Sequence, residues 1–103
     1  MPYRFTDPVM SLDEVCEAIA ATPARLRVLR IVMEHSEVTA KDVMAELNVS
    51  RTAAGYHLAA LTAAGLIHER RATHPRGSGP IIYWAADRAV IGTLRDSLIE
   101  HLS

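Results

Sequence analysis

Apolar residues recur every three or four positions in four stretches of the first two thirds of the chain, and a capping residue precedes each stretch. This spacing places the apolar side chains of a helix on one face. The pattern therefore predicts four helices, from about residue 12 to 21, from 23 to about 35, from 40 to 47 and from 51 to 64. Their predicted N-caps are Ser11, Thr22, Thr39 and Ser50, whose side-chain oxygens can accept hydrogen bonds from the first helical turn.

Local signals define the ends of these helices more closely. Two starts have an acidic residue three positions after the cap, which is the pattern of a capping box: Ser11 with Glu14 and Thr39 with Asp42. Asn48 and Gly65 tolerate the left-handed conformation and are predicted to end the third and fourth helices. The predicted apolar faces are Leu26, Leu29 and Met33, then Val43, Met44 and Leu47, then Ala54, Leu58 and Leu61.

The pattern changes after Gly65. Residues 66–71 and 81–86 are short segments, the second rich in β-branched and aromatic residues, and the intervening residues 72–80 have the composition of a turn. These segments predict a β-hairpin with a long tip. A last helix over 88–102, capped by Asp87, carries an apolar stripe of Ile91, Leu94, Leu98 and Leu102.

Length and composition limit the organisation of the protein. The 103 residues are 50% hydrophobic and 22% charged, which predicts a globular chain with one domain over residues 11–103 after an N-terminal tail, residues 1–10. The fold class is mainly α with a small β-hairpin. The first residues lack a secretory-signal layout, no apolar run is long enough to span a membrane, and Cys16 is the single cysteine. We therefore expect a cytoplasmic protein with no membrane partner. We expect Cys16 to pack as a small buried side chain, and a redox switch is the alternative.

The charge is unevenly distributed along the chain. The net charge is −1, but residues 50–86 carry four arginines against one acidic residue. The same segment holds His57, His68 and His74, which become more cationic beside a polyanion. Ten of the eleven basic residues are arginine, a bias typical of G+C-rich bacterial genomes.

The third and fourth predicted helices are joined by only three residues, 48–50. Two helices connected so tightly cross steeply, which leaves the second helix projecting and able to enter a DNA major groove. At this point the chain resembles winged helix-turn-helix transcription regulators of the arsenic-repressor (ArsR) type over residues 15–100. The matching segments are Ala21–Arg30, Val43–Leu47, Val49–Ser50, Tyr56–Leu58, Leu61, Ala64–Ile67 and Ile82–Trp84.

The resemblance implies a recognition helix over 51–64 and a wing over 66–86. We assign base contacts to Arg51, Thr52 and Tyr56, and a further place in the DNA-binding surface to Ser50, Gly55 and His57. No acidic residue occurs from Ser50 to His68, which is unusual for a helix that faces only solvent. The simpler interpretation is an ordinary amphipathic helix with solvated polar residues. Gly55 is explained equally by close approach of DNA or by tight packing against the second helix.

The wing adds four candidate DNA-binding residues, Arg70, Arg71, His74 and Arg76. An arginine at a flexible tip suits the narrow minor groove. Neighbouring residues of a strand point to opposite faces, so at most one of Arg70 and Arg71 contacts phosphate directly. The alternative is a mobile loop whose charges only increase solubility.

Metal sensing and catalysis are not expected. The segment Val38–Leu47 has no cysteine, and Asp96, Glu100 and His101 lack the Asp-x-His pairing that the family's metal sites on the last helix use. No nucleophile and base pair, phosphate loop or paired carboxylates can be recognised, so we expect no cofactor and no enzymatic activity. Whether a small molecule or metal acts as an effector stays open.

The sequence thus predicts a homodimeric, sequence-specific regulator of double-stranded DNA, acting as a repressor. A winged-helix module that binds proteins and has lost DNA binding is the alternative, suggested by the negative net charge and the single lysine. The dimer interface is assigned to the first and last helices because their apolar stripes exceed what one small core can cover. The assigned interface residues are Val15, Ile19, Ile91, Leu94, Leu98 and Leu102.

Overall fold

The computed structural model describes residues 10–19, 22–73, 77 and 79–103. These residues form five helices and one antiparallel hairpin, so the predicted mainly α fold with a small β-hairpin is confirmed. The elements are α1 (Leu12–Ile19), α2 (Pro23–Glu34), α3 (Ala40–Leu47), α4 (Arg51–Ala63), β1 (Ile67–Thr73), β2 (Pro80–Ala86) and α5 (Arg88–Leu102). The predicted tail, apart from Met10, and the candidate residues His74 and Arg76 lie outside the described residues.

The predicted helix caps are present. Thr39 Oγ1 accepts a hydrogen bond from Asp42 N at 3.2 Å, and Asp42 Oδ2 accepts one from Thr39 N at 2.9 Å, which completes the capping box of α3. Ser11 and Glu14 exchange the same pair of bonds at the start of α1. The side chain of Ser50 accepts from Ala53 N at 3.1 Å and begins α4.

The end of α4 depends on Gly65. Its φ of +79° allows the amides of Gly65 and Leu66 to bond back to the carbonyls of Thr62 and Leu61, at 2.9 and 3.0 Å. This pattern is a Schellman motif, which satisfies carbonyls that the helix itself leaves unpaired. The helix ends at Ala63, one residue before the predicted end at 64, because Ala64 is the cap.

The core lies between α2, α3, α4 and the base of the hairpin. Its fully buried members include Val28 and Val32 of α2, Val43 of α3 and Leu58 of α4. The predicted face of α4 is confirmed, since Ala54, Leu58 and Leu61 are all buried. The predicted face of α2 is wrong at Leu26, which is 52% exposed. Leu26 lies two positions before Val28, so it points away from the side of α2 that Val28 and Val32 turn to the core.

The hairpin strands are longer than predicted. Residues 67–73 pair with 80–86 in an antiparallel register that begins with Ile67 opposite Ala86 and ends with Thr73 opposite Pro80. The predicted strands 66–71 and 81–86, and the predicted tip 72–80, are therefore wrong at their boundaries. Pro80 is compatible with this pairing because a proline at the first position of a strand need not donate to the ladder.

The segment between α2 and α3 adds one paired residue to the hairpin. Val38 N donates to Trp84 O at 2.9 Å, and Trp84 N donates to Val38 O at 2.8 Å. Val38 is also buried in the core, so this single bridge attaches β2 to the helical part of the molecule. No local sequence signal predicts this pairing.

Asp87 joins the base of the hairpin to α5. Its amide donates to Leu66 O at 2.9 Å, and its Oδ1 accepts from Val90 N at 3.0 Å as the cap of α5. Its Oδ2 lies 2.6 Å from Nε2 of His68 on β1. The hydrogen bond from Val90 N, followed by that with His68, holds the pKa of Asp87 below its ordinary value.

Substitution of Asp87 tests this connection. Asp87→Asn keeps a good capping side chain but loses the carboxylate beside His68, whereas Asp87→Ala loses both the cap and the carboxylate. At neutral pH we therefore expect the midpoint temperature of unfolding to be highest for the wild type, lower for Asp87→Asn and lowest for Asp87→Ala. Because the folded state lowers the Asp87 pKa from 3.8, its contribution to stability is present above that pH and is lost as the pH falls through the folded pKa. Thermal unfolding followed by circular dichroism from about pH 7 to about pH 3 measures both effects. An advantage of wild type over Asp87→Asn that persists unchanged at the lowest pH contradicts this account.

Candidate nucleic-acid interface

The turn between α3 and α4 is built by Asn48, Val49 and Ser50. Asn48 has φ 53° and ψ 49°, the left-handed conformation that its short amide side chain tolerates. Val49 N bonds back to Met44 O at 3.3 Å, and its side chain packs against the core. Ser50 then begins α4 immediately. The turn is therefore fixed at both ends, and it sets the direction of α4.

One face of α4 is exposed opposite its buried face. Thr52, Gly55, Tyr56 and Ala59 are exposed and share this side at spacings of three and four residues. Tyr56 keeps 63% of its surface exposed. Arg51 is exposed in the first turn, beside the capping Ser50. Five of the predicted site residues, Ser50, Arg51, Thr52, Gly55 and Tyr56, thus lie together on the N-terminal half of this helix.

Gly55 has open space where a side chain would be. A Cβ built at this position meets no atom of the described residues within 4 Å. The explanation of Gly55 by tight packing against α2 is therefore wrong. Close approach of an external molecule to the backbone of α4 is the remaining explanation of the two.

His57 occupies a different side of α4. Its ring is half-buried and meets the Tyr56 ring edge to face, with 5.5 Å between ring centroids. Among the described residues, its buried Nδ1 has no hydrogen-bond partner. Burial lowers the pKa of His57 below its ordinary value, and the nearby charge of Arg25 lowers it further. The structure therefore places His57 beside α2, behind the exposed face.

Arg25 of α2 belongs to the same cluster, although the sequence analysis assigned it no role. Its guanidinium carbon lies 5.3 Å from the centroid of the Tyr56 ring, within the range of a cation–π contact. Arg25 precedes Tyr56 by 31 positions, so no local spacing signals the contact. Arg25 does lie in the segment Ala21–Arg30, which is one of the segments that resemble ArsR-type regulators.

The two adjacent arginines of β1 have different environments. Arg70 donates two hydrogen bonds to the carboxylate of Glu37, at 2.8 and 2.7 Å, and its guanidinium carbon lies 4.7 Å from the centroid of Tyr83. The hydrogen bond from Arg70 also holds the pKa of Glu37 below its ordinary value. Arg71 is exposed and makes no ion pair within the described part of the chain. Of the two, Arg71 is the cation available to an external anion.

A groove of about 430 Å³ separates the starts of α3 and α4 from β2. Its cationic side chains are Lys41 and Arg51, and its apolar wall is formed by Ile81, Ile82 and Trp84. Lys41, like Arg25, was not assigned a role from the sequence. The groove brings the first turns of both helices and the wing to one surface.

The predicted dimer residues divide into two groups. Val15 is buried within the chain, and Ile91 and Leu94 pack against its core. Leu98 is half-buried and Leu102 is exposed, while the side chain of Ile19 lies outside the described residues. Three large apolar residues that are more than half exposed lie on α1 and α5: Leu12, Ile99 and Leu102.

Contacts of Met10 bring these exposed residues to one end of the molecule. Met10 N donates to Oγ of the buried Ser97 at 2.7 Å, and Met10 O accepts from His101 Nε2 at 3.3 Å. The start of α1 therefore lies alongside the last turns of α5. Cys16 of α1 is exposed, so the expectation that it packs as a buried side chain is wrong. It follows Val15, which is buried.

Asp96 and His101 of α5 have local partners. Asp96 Oδ1 accepts from Arg95 Nε at 3.1 Å, and His101 contacts Met10 as described. Across the described ranges, no group of three or more His, Cys, Asp or Glu side chains is arranged to hold a metal ion. In the same residues, no helix is both long and apolar enough to cross a membrane.

Comparisons with known proteins give one family match and several similar structures. The model of a helix-turn-helix domain family matches residues 19–70, half of the chain. An ArsR-like transcriptional regulator from Rhodococcus sp. RHA1 is 26% identical, with a TM-score of 0.67 over 85% of this chain and 78% of the other. A possible transcriptional regulator for arsenical resistance is 27% identical, with a TM-score of 0.66 over 90% and 88% of the two chains.

A more distant structure shares only the fold. A possible transcriptional regulator from Methanosarcina mazei Go1 is 14% identical, with a TM-score of 0.65 over 87% of this chain and 80% of the other. No curated protein matches the sequence.

Replacement of Gly55 by alanine tests whether its site is open. Alanine is favoured over glycine in a helix interior by about 1 kcal/mol, and nothing near Gly55 obstructs a methyl group. We therefore expect Gly55→Ala to raise the free energy of unfolding by about 1 kcal/mol in chemical denaturation. Ala53→Gly, at a half-buried position of the same helix, is the reverse control and should lower it. A destabilised Gly55→Ala would restore the packing explanation.

Proposed function

From its membership of the helix-turn-helix domain family, we propose that the chain is a homodimeric, sequence-specific repressor that binds double-stranded DNA. It also has the wing of this fold and resembles ArsR-type regulators. The observation that carries the proposal is the exposed face of α4. That face is free of acidic residues, begins with Arg51, presents the open backbone of Gly55 and lies beside the wing. The regulators among the similar structures support it.

The N-terminal half of α4 is proposed to enter the major groove, which at about 12 Å wide admits one helix. Arg51 has the donor geometry for O6 and N7 of a guanine. Thr52 and Tyr56 reach base edges or phosphates from the next turn. Gly55 lets the helix backbone come closer to the DNA than a residue with a side chain would allow.

The wing is proposed to contact the DNA backbone through Arg71. Arg70 is engaged by Glu37 and Tyr83, so its contribution to phosphate binding requires the loss of two hydrogen bonds. The assignment of His74 and Arg76 to the minor groove stays a prediction, because both residues lie outside the described residues. Ser50 supplies its hydroxyl oxygen to the cap of α4 and keeps its proton for a phosphate.

A second copy of the chain is proposed to cover the exposed apolar end formed by Leu12, Ile99 and Leu102. Two-fold symmetry then presents two α4 helices to successive major grooves. The operator of such a dimer is an imperfect inverted repeat with half-site centres about 10 base pairs apart. A dimer seated across adjacent grooves occludes the DNA beneath it, which is the basis for proposing repression.

DNA binding tests the proposal directly. Double-stranded DNA enriched by the protein from a random pool, and a scrambled version of it, are titrated with protein at several salt concentrations by fluorescence anisotropy. We expect the affinity for enriched DNA to fall with salt, and Arg51→Ala to cost about 1–3 kcal/mol per half-site on enriched DNA only. Arg71→Ala should weaken binding to both DNAs and reduce the salt slope, the change of log affinity with log salt concentration, by about one unit. Arg70→Ala should change both the affinity and the salt slope less.

Two outcomes contradict the proposal. If no DNA is enriched, or if Arg51→Ala and Arg71→Ala bind like the wild type, the surface is not a DNA interface and the protein-interaction module is the better explanation. Gly55→Ala adds an independent check. If DNA approaches the backbone at Gly55, this variant should be more stable than the wild type and yet bind the enriched DNA more weakly.

Dimerisation is tested at the end of α5. Ile99→Glu with Leu102→Glu places charges in the exposed apolar end, so we expect a dimer to dissociate to the 11.3 kDa monomer in light scattering. Leu94 is not a suitable target, because it packs against the core. Leu26→Glu is the matched control, since Leu26 is similarly exposed but lies on α2, and it should leave the dimer intact. A wild-type protein that is monomeric at tens of micromolar contradicts the dimer.

A further inference from the structure

Arg25 is attached to a rigid part of the molecule outside α3 and α4. Its amide donates to Thr22 Oγ1 at 3.2 Å, so it belongs to the capped first turn of α2. From there its guanidinium reaches α4 and lies over the Tyr56 ring, 5.3 Å from the centroid. The contact joins the capped first turn of α2 to Tyr56, an exposed large aromatic side chain of α4.

The polar atoms around this contact are unsatisfied. Among the described residues, Nε of Arg25 and Nδ1 of His57 are buried without a hydrogen-bond partner. No carboxylate of the described residues pairs with Arg25, whereas Arg30 on the same helix pairs with Glu34. A buried donor without an acceptor is costly, and a cation without a counter-ion keeps its full attraction for an anion. The two buried atoms are themselves closed to an external ligand, but the guanidinium charge has no counter-ion within the described part of the chain and can attract an external anion.

We propose that Arg25 is part of the DNA-binding surface, where its guanidinium holds the Tyr56 ring toward the DNA and donates to a phosphate beside the bases that Tyr56 contacts. This inference rests on the proposed function of α4. The Tyr56 ring and the Arg25 guanidinium are in contact, so a DNA backbone that reaches Tyr56 also lies close to Arg25.

The geometry gives Arg25 two effects on binding. A planar guanidinium can stack on an aromatic ring and still direct N–H groups at a phosphate, which a lysine ammonium does less well. The stacked ring also has fewer rotamers to lose when DNA binds, because α2 already restricts it. Removal of Arg25 should therefore remove a phosphate contact and loosen a neighbouring one.

Arg27 provides a matched control. It is exposed on the same helix, makes no ion pair within the described part of the chain and carries the same charge. We expect Arg25→Ala to weaken binding to the enriched DNA by about tenfold or more and to reduce the salt slope by about one unit. Arg27→Ala should change affinity by less than about twofold, as a surface charge outside the interface does. Arg25→Lys keeps the charge but not the planar fork, and should fall between wild type and Arg25→Ala.

Two further readouts separate this role from a structural one. In a double-mutant cycle, Arg25→Ala should cost less binding in a protein that already carries Tyr56→Ala than in the wild type, because only its own phosphate contact is then left to lose. In the free protein, Arg25→Ala should raise the pKa of His57 measured by NMR titration, since the Arg25 charge lowers it, while Arg27→Ala should not. Arg25→Gln, which also removes the charge, repeats both measurements if Arg25→Ala does not fold.

The outcomes distinguish this inference from the function on which it rests. If the wild type binds DNA and the Arg25→Ala and Arg27→Ala variants bind it equally well, the role of Arg25 is overturned and the proposed function stays intact. Additive effects of Arg25→Ala and Tyr56→Ala overturn the coupling of the two residues. A wild-type protein that enriches no DNA overturns both proposals, whatever the NMR titration shows.

Discussion

The burial of one face of α4 is the constraint on which the rest of the structure depends. Ala54, Leu58 and Leu61 are enclosed by α2, α3 and the base of the hairpin, and none is more than 2% exposed. A helix with one face fixed in a close-packed core cannot rotate, so its opposite face is presented in one orientation. This packing is why the side chains of Thr52 and Tyr56 and the backbone at Gly55 are exposed.

The hairpin and α5 take their positions from the same core through two backbone connections. The bridge between Val38 and Trp84 fixes β2, and it also brings Glu37 next to β1, where Glu37 binds Arg70. Asp87 connects Leu66 and His68 to the first turn of α5. The wing, α4 and the apolar end of α5 are therefore parts of one framework.

Features that depend on a few neighbouring residues were predictable from the sequence. The capping box at Thr39, the left-handed Asn48, the end of α4 at Gly65 and its buried face follow from side-chain chemistry and helical spacing. Features that join distant residues were not. Nothing near Val38 indicates that it pairs with Trp84, and the contact between Arg25 and Tyr56 follows from the packing of α2 on α4. Leu26 was misassigned because α2 is apolar on more than one side, so spacing alone does not identify the face that the core selects.

The distribution of internal partners explains how a chain of net charge −1 can present a surface for a polyanion. Arg30, Arg70 and Arg95 each pair with a carboxylate, and Arg88 donates to the carbonyl of Met33. Within the described part of the chain, the cations with no such partner include Arg25, Arg27, Lys41, Arg51 and Arg71. Lys41 and Arg51 line the same groove, and Arg25 contacts α4. Paired charges act on distant anions mainly as dipoles, so the cations without carboxylate partners, rather than the net charge, set the local field that DNA meets.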